Sequence, residues 1–370
     1  MYRADPFDAL SPARLTASAV QHRPTLLGIA SAHPPFEVTQ EQTAALFQRM
    51  STVPYVKRIV ESTKVKKRQI MWDPDSLQDV SRLLIADRMA AHSEAVIDVA
   101  SRSLKEAIGD FDTGRIGSFV MACSTGYVNP GPDLLLAKEL GLRSDLRRTF
   151  IGHMGCYAAL NVIKTAMDSV AARPDELVIC NNTELSSAHI RESLMPGEDP
   201  VEALITQALF GDASVSMLVG SAPDGAGIQF LRTHTEQLYD QHTMMSLNIG
   251  DRSFWMTLAA GVPAILEESI DAFLAKLLAP LGLSRGDIAH WGIHPGGPKI
   301  VRKLGKQLDL QPEQLRASWD VLANAGNCAS ATVLLVLENI LRVDKPRRGE
   351  HGVLLAFGPG LTVEGAVLRF

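Results

Sequence analysis

A chain of 370 residues, 46% of them hydrophobic, is long enough for two domains or one large double unit around a sizeable core. Its formal net charge of -5 gives no basic footprint for nucleic acid, and no apolar run reaches the length that spans a membrane, so a small-molecule function is favoured. The four cysteines, Cys123, Cys156, Cys180 and Cys328, are scattered without paired spacing, which argues against a zinc site and a disulfide framework and predicts free thiols with no metal.

Residues 1–24 read as a surface arm. They carry Pro6, Pro12 and Pro24 but no apolar core behind positive residues, so no secretory signal is expected and a cytoplasmic protein is. Leu26 to Ala30 is the first strand, and Thr39 caps a helix through Met50. Tyr55 to Arg68 is the most basic segment, with Lys57, Arg58, Lys64, Lys66, Lys67 and Arg68 close together. It is either a solvated helix face or a phosphate-binding rim for an anionic ligand such as coenzyme A. Ser93 to Ile108 is an amphipathic helix, and Ser118 to Cys123 has the unbroken apolar run of a parallel strand buried on both faces. Ser124 to Asp133, with Gly126, Pro130, Gly131 and Pro132, is too long for a hairpin turn and belongs at a surface or an interface.

Thr149 to Leu160 holds an apolar run, Gly155, Cys156 and the start of a helical pattern. Ala158, Ala159, Leu160, Val162, Ile163, Ala166, Met167 and Val170 cover almost every face, so the helix is expected to be buried rather than amphipathic. A thiol at its start meets unpaired N–H groups and the positive dipole end, which predicts a pKa below the roughly 8.5 of a free cysteine. Gly155 lets another group approach closely. Taken alone, a buried cysteine is equally an ordinary small hydrophobe. The strand Leu177 to Cys180 ends in Asn181, Asn182, Thr183 and Glu184. Leu209-Phe210-Gly211-Asp212-Ala213 leads into the apolar run Val215 to Val219, and Pro223-Asp224-Gly225 breaks the chain between halves at 25–222 and 223–370.

The second half repeats the alternation. It offers a strand Ile228 to Arg232, a helix from Pro263 to Leu278, a strand Ile288 to Ile293, helices after Pro298 and Pro312, an apolar helix from Cys328 to Leu341, and strands Gly352 to Phe357 and Leu361 to Phe370. Alternating elements with apolar strands imply α/β layers. In each half a buried strand leads to a polar residue and then to a buried helix opened by a cysteine, Cys156 or Cys328, which suggests pseudo-duplication.

Two further motifs bear on Cys156. His294-Pro295-Gly296-Gly297-Pro298 puts His294 at the C-terminal end of a strand, where open α/β sheets place their ligands, with two glycines against which a ligand can lie. Asn327, in Ala325-Gly326-Asn327-Cys328-Ala329-Ser330, precedes another buried helix. Each residue alone could be a satisfied structural group; together they make a Cys/His/Asn constellation suited to nucleophilic catalysis. Papain-like proteases share this order, but their cysteine lies near a mature N-terminus in a Cys-Gly-x-Cys-aromatic setting within a disulfide-bonded chain, none of which is present.

From Leu26 to Phe370 the chain resembles the type III polyketide synthases, the chalcone and stilbene synthase family, on Gly155-Cys156, Gln207-Ala208-Leu209-Phe210-Gly211-Asp212, His294-Pro295-Gly296-Gly297-Pro298, Gly326-Asn327 and Phe357-Gly358-Pro359-Gly360-Leu361-Thr362-Val363-Glu364. The initiating β-ketoacyl carrier-protein synthases share the triad but typically lack His-Pro-Gly-Gly and Phe-Gly-Pro-Gly, and stand second. The resemblance implies a thiolase-like layered αβαβα fold built from two pseudo-duplicated halves. Cys156 would take a starter acyl group from its CoA thioester. His294 would stabilise the thiolate as an ion pair and, with Asn327, hold the thioester oxygen of malonyl-CoA as it decarboxylates. Extension would end in ring closure to a resorcinol, pyrone or related product, or in hydrolysis, with acyl-CoA and malonyl-CoA as substrates and no cofactor. Phe210 matches an aromatic gatekeeper, Met256 in Phe254-Trp255-Met256-Thr257-Leu258 a second gatekeeper, and Ser186, His189 and Ala329 pocket-wall positions. Arg58 matches a cation on the CoA phosphates, with Lys57 or Lys64 substituting where Tyr55 and Ser62 stand at two cationic positions, and Gly296 and Gly297 lie on the CoA side. A homodimer is implied, the Ser124 to Asp133 loop reaching across the two-fold interface so that Asn129 touches the partner's pocket. A catalytically silent acyl-binding scaffold is the remaining class; the intact triad argues against it.

Overall fold

The computed structural model describes residues 22–192, 194 and 198–370. Most of the arm assigned to 1–24 lies outside the described residues. Strands β1 (His22–Ala32) and β2 (Phe36–Thr39) lead to helix α1 (Gln40–Met50), which Thr39 opens as expected. Its hydroxyl accepts from the Gln42 N–H at 3.2 Å while the Gln42 side chain accepts from the Thr39 N–H at 2.8 Å, a reciprocal cap. Helix α2 (Val56–Ser62), β3 (Lys67–Ile70), α3 (Leu77–Val80) and α4 (Ile85–Ile108) follow. Then come β4 (Ile116–Ala122), α5 (Pro132–Glu139), β5 (Arg147–Ile151), α6 (Ala158–Ala172), β6 (Leu177–Leu185), α7 (Pro200–Leu209) and β7 (Asp212–Pro223). The second half runs β8 (Ile228–Gln237), β9 (Met245–Ile249), β10 (Phe254–Leu258), α8 (Val262–Leu278), β11 (Ile288–Ile293), α9 (Pro298–Gln307), α10 (Pro312–Ala325), α11 (Ala331–Asn339), β12 (His351–Gly358) and β13 (Thr362–Arg369).

The duplication is plain in the strand order. One sheet runs β11-β12-β13-β8-β1-β7-β6-β4-β5, the halves meeting where Thr25 and Leu26 pair with Gln229 and Ile228. Outward from that seam, and counting only the strands of this sheet, each half places its first strand, then its last, then the one before, then its second: β1-β7-β6-β4 and β8-β13-β12-β11. Helices α6 and α11 occupy equivalent places and share one apolar core with strands of both halves. Ala158, Ala159, Leu160, Val162, Ile163, Ala166 and Val170 are buried in that core, whereas Asn161, Lys164, Thr165, Asp168 and Ser169 gather on the remaining face with Asp168 exposed, so α6 is amphipathic where the sequence reading expected burial on almost every face. Lys164, one of two charged residues on α6, is met inside by Glu364 at 2.7 Å and Thr235 at 2.9 Å, so the glutamate of the C-terminal motif ties the central helix to β13.

Several elements differ from the sequence reading. Strand β6 continues through Asn181, Asn182, Thr183 and Glu184, all wholly buried, instead of ending at Cys180. Asn181 and Thr183 are absorbed by a hydroxyl network with Ser103, Ser214 and Ser216, so burial leaves them satisfied. Helix α4 starts at Ile85 rather than near Ser93, because its first turns bury Arg88 and His92 where the apolar period demands hydrophobes. Arg88 donates to the carbonyls of Val80, Leu83, Ala188 and Ile190 at 2.6 to 3.1 Å. Helix α11 begins at Ala331, three residues after Cys328, and the hairpin β9–β10 was not anticipated.

Candidate active site

Cys156 sits in a 3-10 turn, Gly155–Tyr157, that runs into α6 and is 4% exposed. Gly155 has φ 68°, and a Cβ there would stand 2.9 Å from Pro359 Cδ, so the Phe357 to Leu361 turn packs directly on the cysteine turn. The Gly155 N–H donates to Ser124 Oγ at 3.2 Å, which fixes the same turn from the other side.

The Gln207–Asp212 and Gly326–Asn327 motifs form one unit. The Asn327 N–H donates to Leu209 O at 2.9 Å and the Gly211 N–H to Asn327 O at 3.0 Å. Gly326 has φ 73°, and a Cβ would lie 2.6 Å from Leu209 O, so the approach requires glycine. Asn327 Oδ1 accepts from the Ala329 N–H at 2.9 Å and the Thr332 hydroxyl at 3.2 Å. Its amide nitrogen is thereby turned outward and donates toward the Cys156 sulfur. His294 follows β11, held by its N–H to Leu355 O at 2.8 Å; it is 1% exposed, and neither ring nitrogen has a hydrogen-bond partner. A buried imidazole with both nitrogens unmet is poised for a ligand or for an event in the site.

Burial decides the resting charges. It pushes the Cys156 thiol up to about 12, helped by the charge of Glu184 and opposed by the Asn327 hydrogen bond. The depressed thiol pKa expected from the helix start is therefore overturned: desolvation outweighs the helix-start N–H groups. Burial likewise holds His294 down at about 3. Cys156 therefore rests as a thiol and His294 as a neutral imidazole.

A cavity of about 800 Å³, counting its open mouth, is lined by Cys156, Phe210, Met256, Ser186, His189 and Ala329, so all five expected wall and gate residues reach the cysteine. His294 and Asn327 are not among its lining residues; Asn327 is tied to it through Cys156. Asn129 is exposed and lines a separate cavity with Tyr127, Phe150 and His153. A groove of about 950 Å³ carries Gly296 and Gly297 together with Ser62, Thr63, Lys299 and Arg302, and shares Thr206 with the first cavity. Lys57, Arg58 and Lys64 do not line it. They are exposed, because α2 turns Val56 and Val60 inward and presents its C-terminal end, Ser62 and Thr63, to the groove. The cations on the groove are Lys299 and Arg302, missed in the sequence although they follow His-Pro-Gly-Gly-Pro three apart on one helix face.

Arg68, counted with the basic rim, is 2% exposed and faces the other way. Its Nη1 donates to Gln207 O at 2.5 Å and to Phe210 O, holding the end of α7 and the gate residue. Burial lowers its pKa only to about 10, with Asp212 opposing, so it stays charged at neutral pH.

Glu184 is wholly buried near Cys156, accepting from the Ser124 N–H at 2.9 Å and the Ser330 hydroxyl at 2.6 Å. Burial pushes its carboxyl up to about 7 from 4.5, against those hydrogen bonds. A raised carboxyl pKa contributes most below the unfolded value, and the contribution is lost as pH climbs from about 4.5 to about 7. At about 1.4 kcal/mol per pK unit, Glu184→Gln should gain on wild type by on the order of 3 kcal/mol between the ends of that window. Denaturant unfolding at both ends checks this; a pH-independent difference refutes it.

The chain matches the family model for the N-terminal domain of chalcone and stilbene synthases over residues 13–223 and that for the C-terminal domain over 230–370. It is 31% identical to the "Alpha-pyrone synthesis polyketide synthase-like Pks18" of Mycobacterium tuberculosis, with 96% of this chain and 92% of that protein covered. Among solved structures it superposes on PKS-I of the brown alga Ectocarpus siliculosus with a TM-score of 0.88 at 25% identity, covering 95% of this chain and 100% of the other. The C-terminal type III polyketide synthase domain of Steely1 from Dictyostelium gives 0.85 at 26% identity, covering 94% and 99%. Two family models that together span nearly the whole chain, carried on the sheet and motifs described above, show that it belongs to the chalcone and stilbene synthase family, as a type III polyketide synthase that condenses an acyl-CoA starter with malonyl-CoA.

Proposed function

We propose that Cys156 carries the growing chain and that His294 and Asn327 form the decarboxylation site. The observation that supports this most directly is the state of the two donors: an imidazole with no hydrogen-bond partner among the described residues, and an amide whose oxygen is already committed, so that N–H groups remain for a substrate oxygen. Neutral His294 takes the Cys156 proton, and the two charges form together, which offsets the burial cost each would meet alone. The thiolate attacks the starter thioester and CoA leaves. Malonyl-CoA then loses carbon dioxide, and the electron pair of the broken C–C bond passes into an enolate whose oxygen accepts from His294 and Asn327. The enolate carbon attacks the Cys156 thioester and the sulfur leaves, giving a chain longer by two carbons on CoA. The groove between Gly296, Gly297, Lys299 and Arg302 suits the CoA arm, its glycines meeting the pantetheine and its cations the phosphates. The Mycobacterium tuberculosis relative is named for α-pyrone synthesis, and a pyrone-type product fits this chain as well. Mass spectrometry of products from purified enzyme with malonyl-CoA and a panel of acyl-CoA starters tests the reading; no starter-dependent product would overturn it.

Met256 lines the cavity together with the rigid ring of Phe210, and an unbranched thioether chain adapts where a ring does not. Extended or aliphatic starters should therefore be accepted. Met256→Phe should shift turnover toward shorter starters by about one to two orders of magnitude in relative kcat/KM, the worth of a methylene or so in an apolar pocket. An unchanged length profile would remove Met256 from the acyl path.

The working unit is a homodimer. Tyr127, Val128, Leu134, Leu135, Phe150 and Met154 are large apolar side chains left exposed on and around the Ser124 to Asp133 loop, a patch that a second copy would cover. In that arrangement Asn129 reaches the partner's pocket. Sedimentation at micromolar concentration should give a dimer, and a monomer would contradict this.

A further inference from the structure

His189 lines the cavity, yet its ring has nothing left to offer a substrate. Nε2 lies 2.7 Å from Thr125 O, and Nδ1 accepts from the Phe254 N–H at 3.0 Å, so the first nitrogen carries the proton and donates it to the carbonyl. The ring also stacks on Phe254, centroids 4.4 Å apart and planes 11° from parallel. Both hydrogen-bonding positions and one face are therefore used inside the protein.

What those contacts join is three separate walls of one cavity. Thr125 belongs to the loop after β4, His189 to the short 3-10 turn after β6, and Phe254 to β10. The base of the turn is rigid, since buried Arg88 grips the carbonyls on either side of His189, Ala188 O at 2.6 Å and Ile190 O at 2.8 Å. The hairpin β9–β10 is not part of the large sheet; its strands pair only with each other. A two-stranded ribbon has little stability of its own and takes its position from its tethers. At its tip, Asp251 O accepts from the Ile85 N–H at 3.0 Å and Arg252 donates to Arg82 O at 2.7 Å. At the cavity, the backbone tether is the Phe254 N–H to His189. Phe254 and Met256 are two apart on one strand, share a face and both line the cavity.

We infer that His189 is a positioning residue, a latch that fixes the hairpin β9–β10 against the cavity and so sets which starter lengths pass Met256. This rests on the proposed reading that the cavity takes the starter chain. His189→Phe keeps a ring to stack on Phe254 and removes both hydrogen bonds; His189→Gln keeps a donor for Thr125 O and an acceptor for the Phe254 N–H and loses the stack. Two readouts separate latching from bulk stability: hydrogen exchange of the Phe254 amide, and the ratio of kcat/KM for a long-chain over a short-chain acyl-CoA. In His189→Phe the Phe254 amide should exchange about tenfold faster, as a lost tertiary hydrogen bond allows. The length ratio should move by a comparable factor, and His189→Gln should return both toward wild type. Wild-type exchange together with a shifted ratio would make His189 a direct substrate contact and overturn the latch. Fast exchange with an unchanged ratio would overturn its role in specificity. Should His189→Phe fail to fold, His189→Ala is read the same way. A wild-type enzyme that makes no product from any starter would refute the proposed function instead, and the exchange measurement would still decide whether the latch exists.

Discussion

Cys156→Ala should leave less than about one part in a thousand of wild-type polyketide formation, the scale on which removal of a covalent nucleophile is felt. The sulfur would be the only atom lost, from a buried side chain at the start of a helix whose alanine-rich first turn accepts another alanine, so the fold should persist. With no thiol to take the starter and present it as an enzyme thioester, the enolate has no electrophile, and product disappears for every starter at once. Decarboxylation of malonyl-CoA is a separate event at His294 and Asn327, so carbon dioxide release should continue after synthesis stops. Iodoacetamide should label Cys156 ahead of Cys180 and Cys328, which lie in the apolar core, and of Cys123, which lines a different cavity. Retained polyketide synthesis in Cys156→Ala would sink the assignment of the nucleophile.

The parts of this molecule that were legible in the sequence are those where one physical demand acts alone. Helix α11, buried at every position from Ala331 to Leu337, had to be apolar nearly all round, and α6 carries a broad apolar stripe into the same core, so both stood out together with the cysteine ahead of each. The glycines at Gly155 and Gly326 are needed for backbone at φ 68° and 73°, and motifs that contain such points keep their form. Where two demands compete, the sequence misled. Arg88 and Arg68 are cations on the inside, held by carbonyls that come from other segments, and no window of sequence contains those partners. The four polar residues at the end of β6 looked like a strand terminus because their hydroxyl partners are distant in sequence, on α4 and β7 for Asn181 and Thr183 and at Ser330, ahead of α11, for Asn182 and Glu184. The pKa of Cys156 was misjudged for the same reason: the helix start is local and visible, whereas the burial that overrides it is assembled from distant parts of the chain. His189 was placed in the pocket wall, but its use as a latch depends on two backbone groups, 64 and 65 residues away in opposite directions.

His294→Gln and Asn327→Ala should each lower malonyl-CoA decarboxylation by about 10²- to 10³-fold, the usual worth of one preorganised donor at a developing oxyanion. Because both donors face one oxygen, the double variant should cost less than the sum of the two. The Asn327 change carries a second expectation: its oxygen also accepts from Ala329 and Thr332, so some stability is lost along with activity. His294 makes no side-chain hydrogen bond in the resting protein, so its glutamine variant should fold as well as wild type or better. The pH dependence follows from the same burial. His294 has its folded pKa lowered to about 3 from 6.5, so the unfolded chain binds a proton that the folded one refuses, and stability is lost as pH falls through that window. Above about pH 6.5 the imidazole is neutral in both states and contributes no slope. In the Cys156→Ala background, where no thiol can protonate the ring, decarboxylation should keep the neutral donor and show no limb from His294 between about pH 5 and 8. Rates measured across that range decide the matter: a descending acid limb centred near the ordinary histidine value would show that His294 titrates freely, and that the site is wetter than its burial implies.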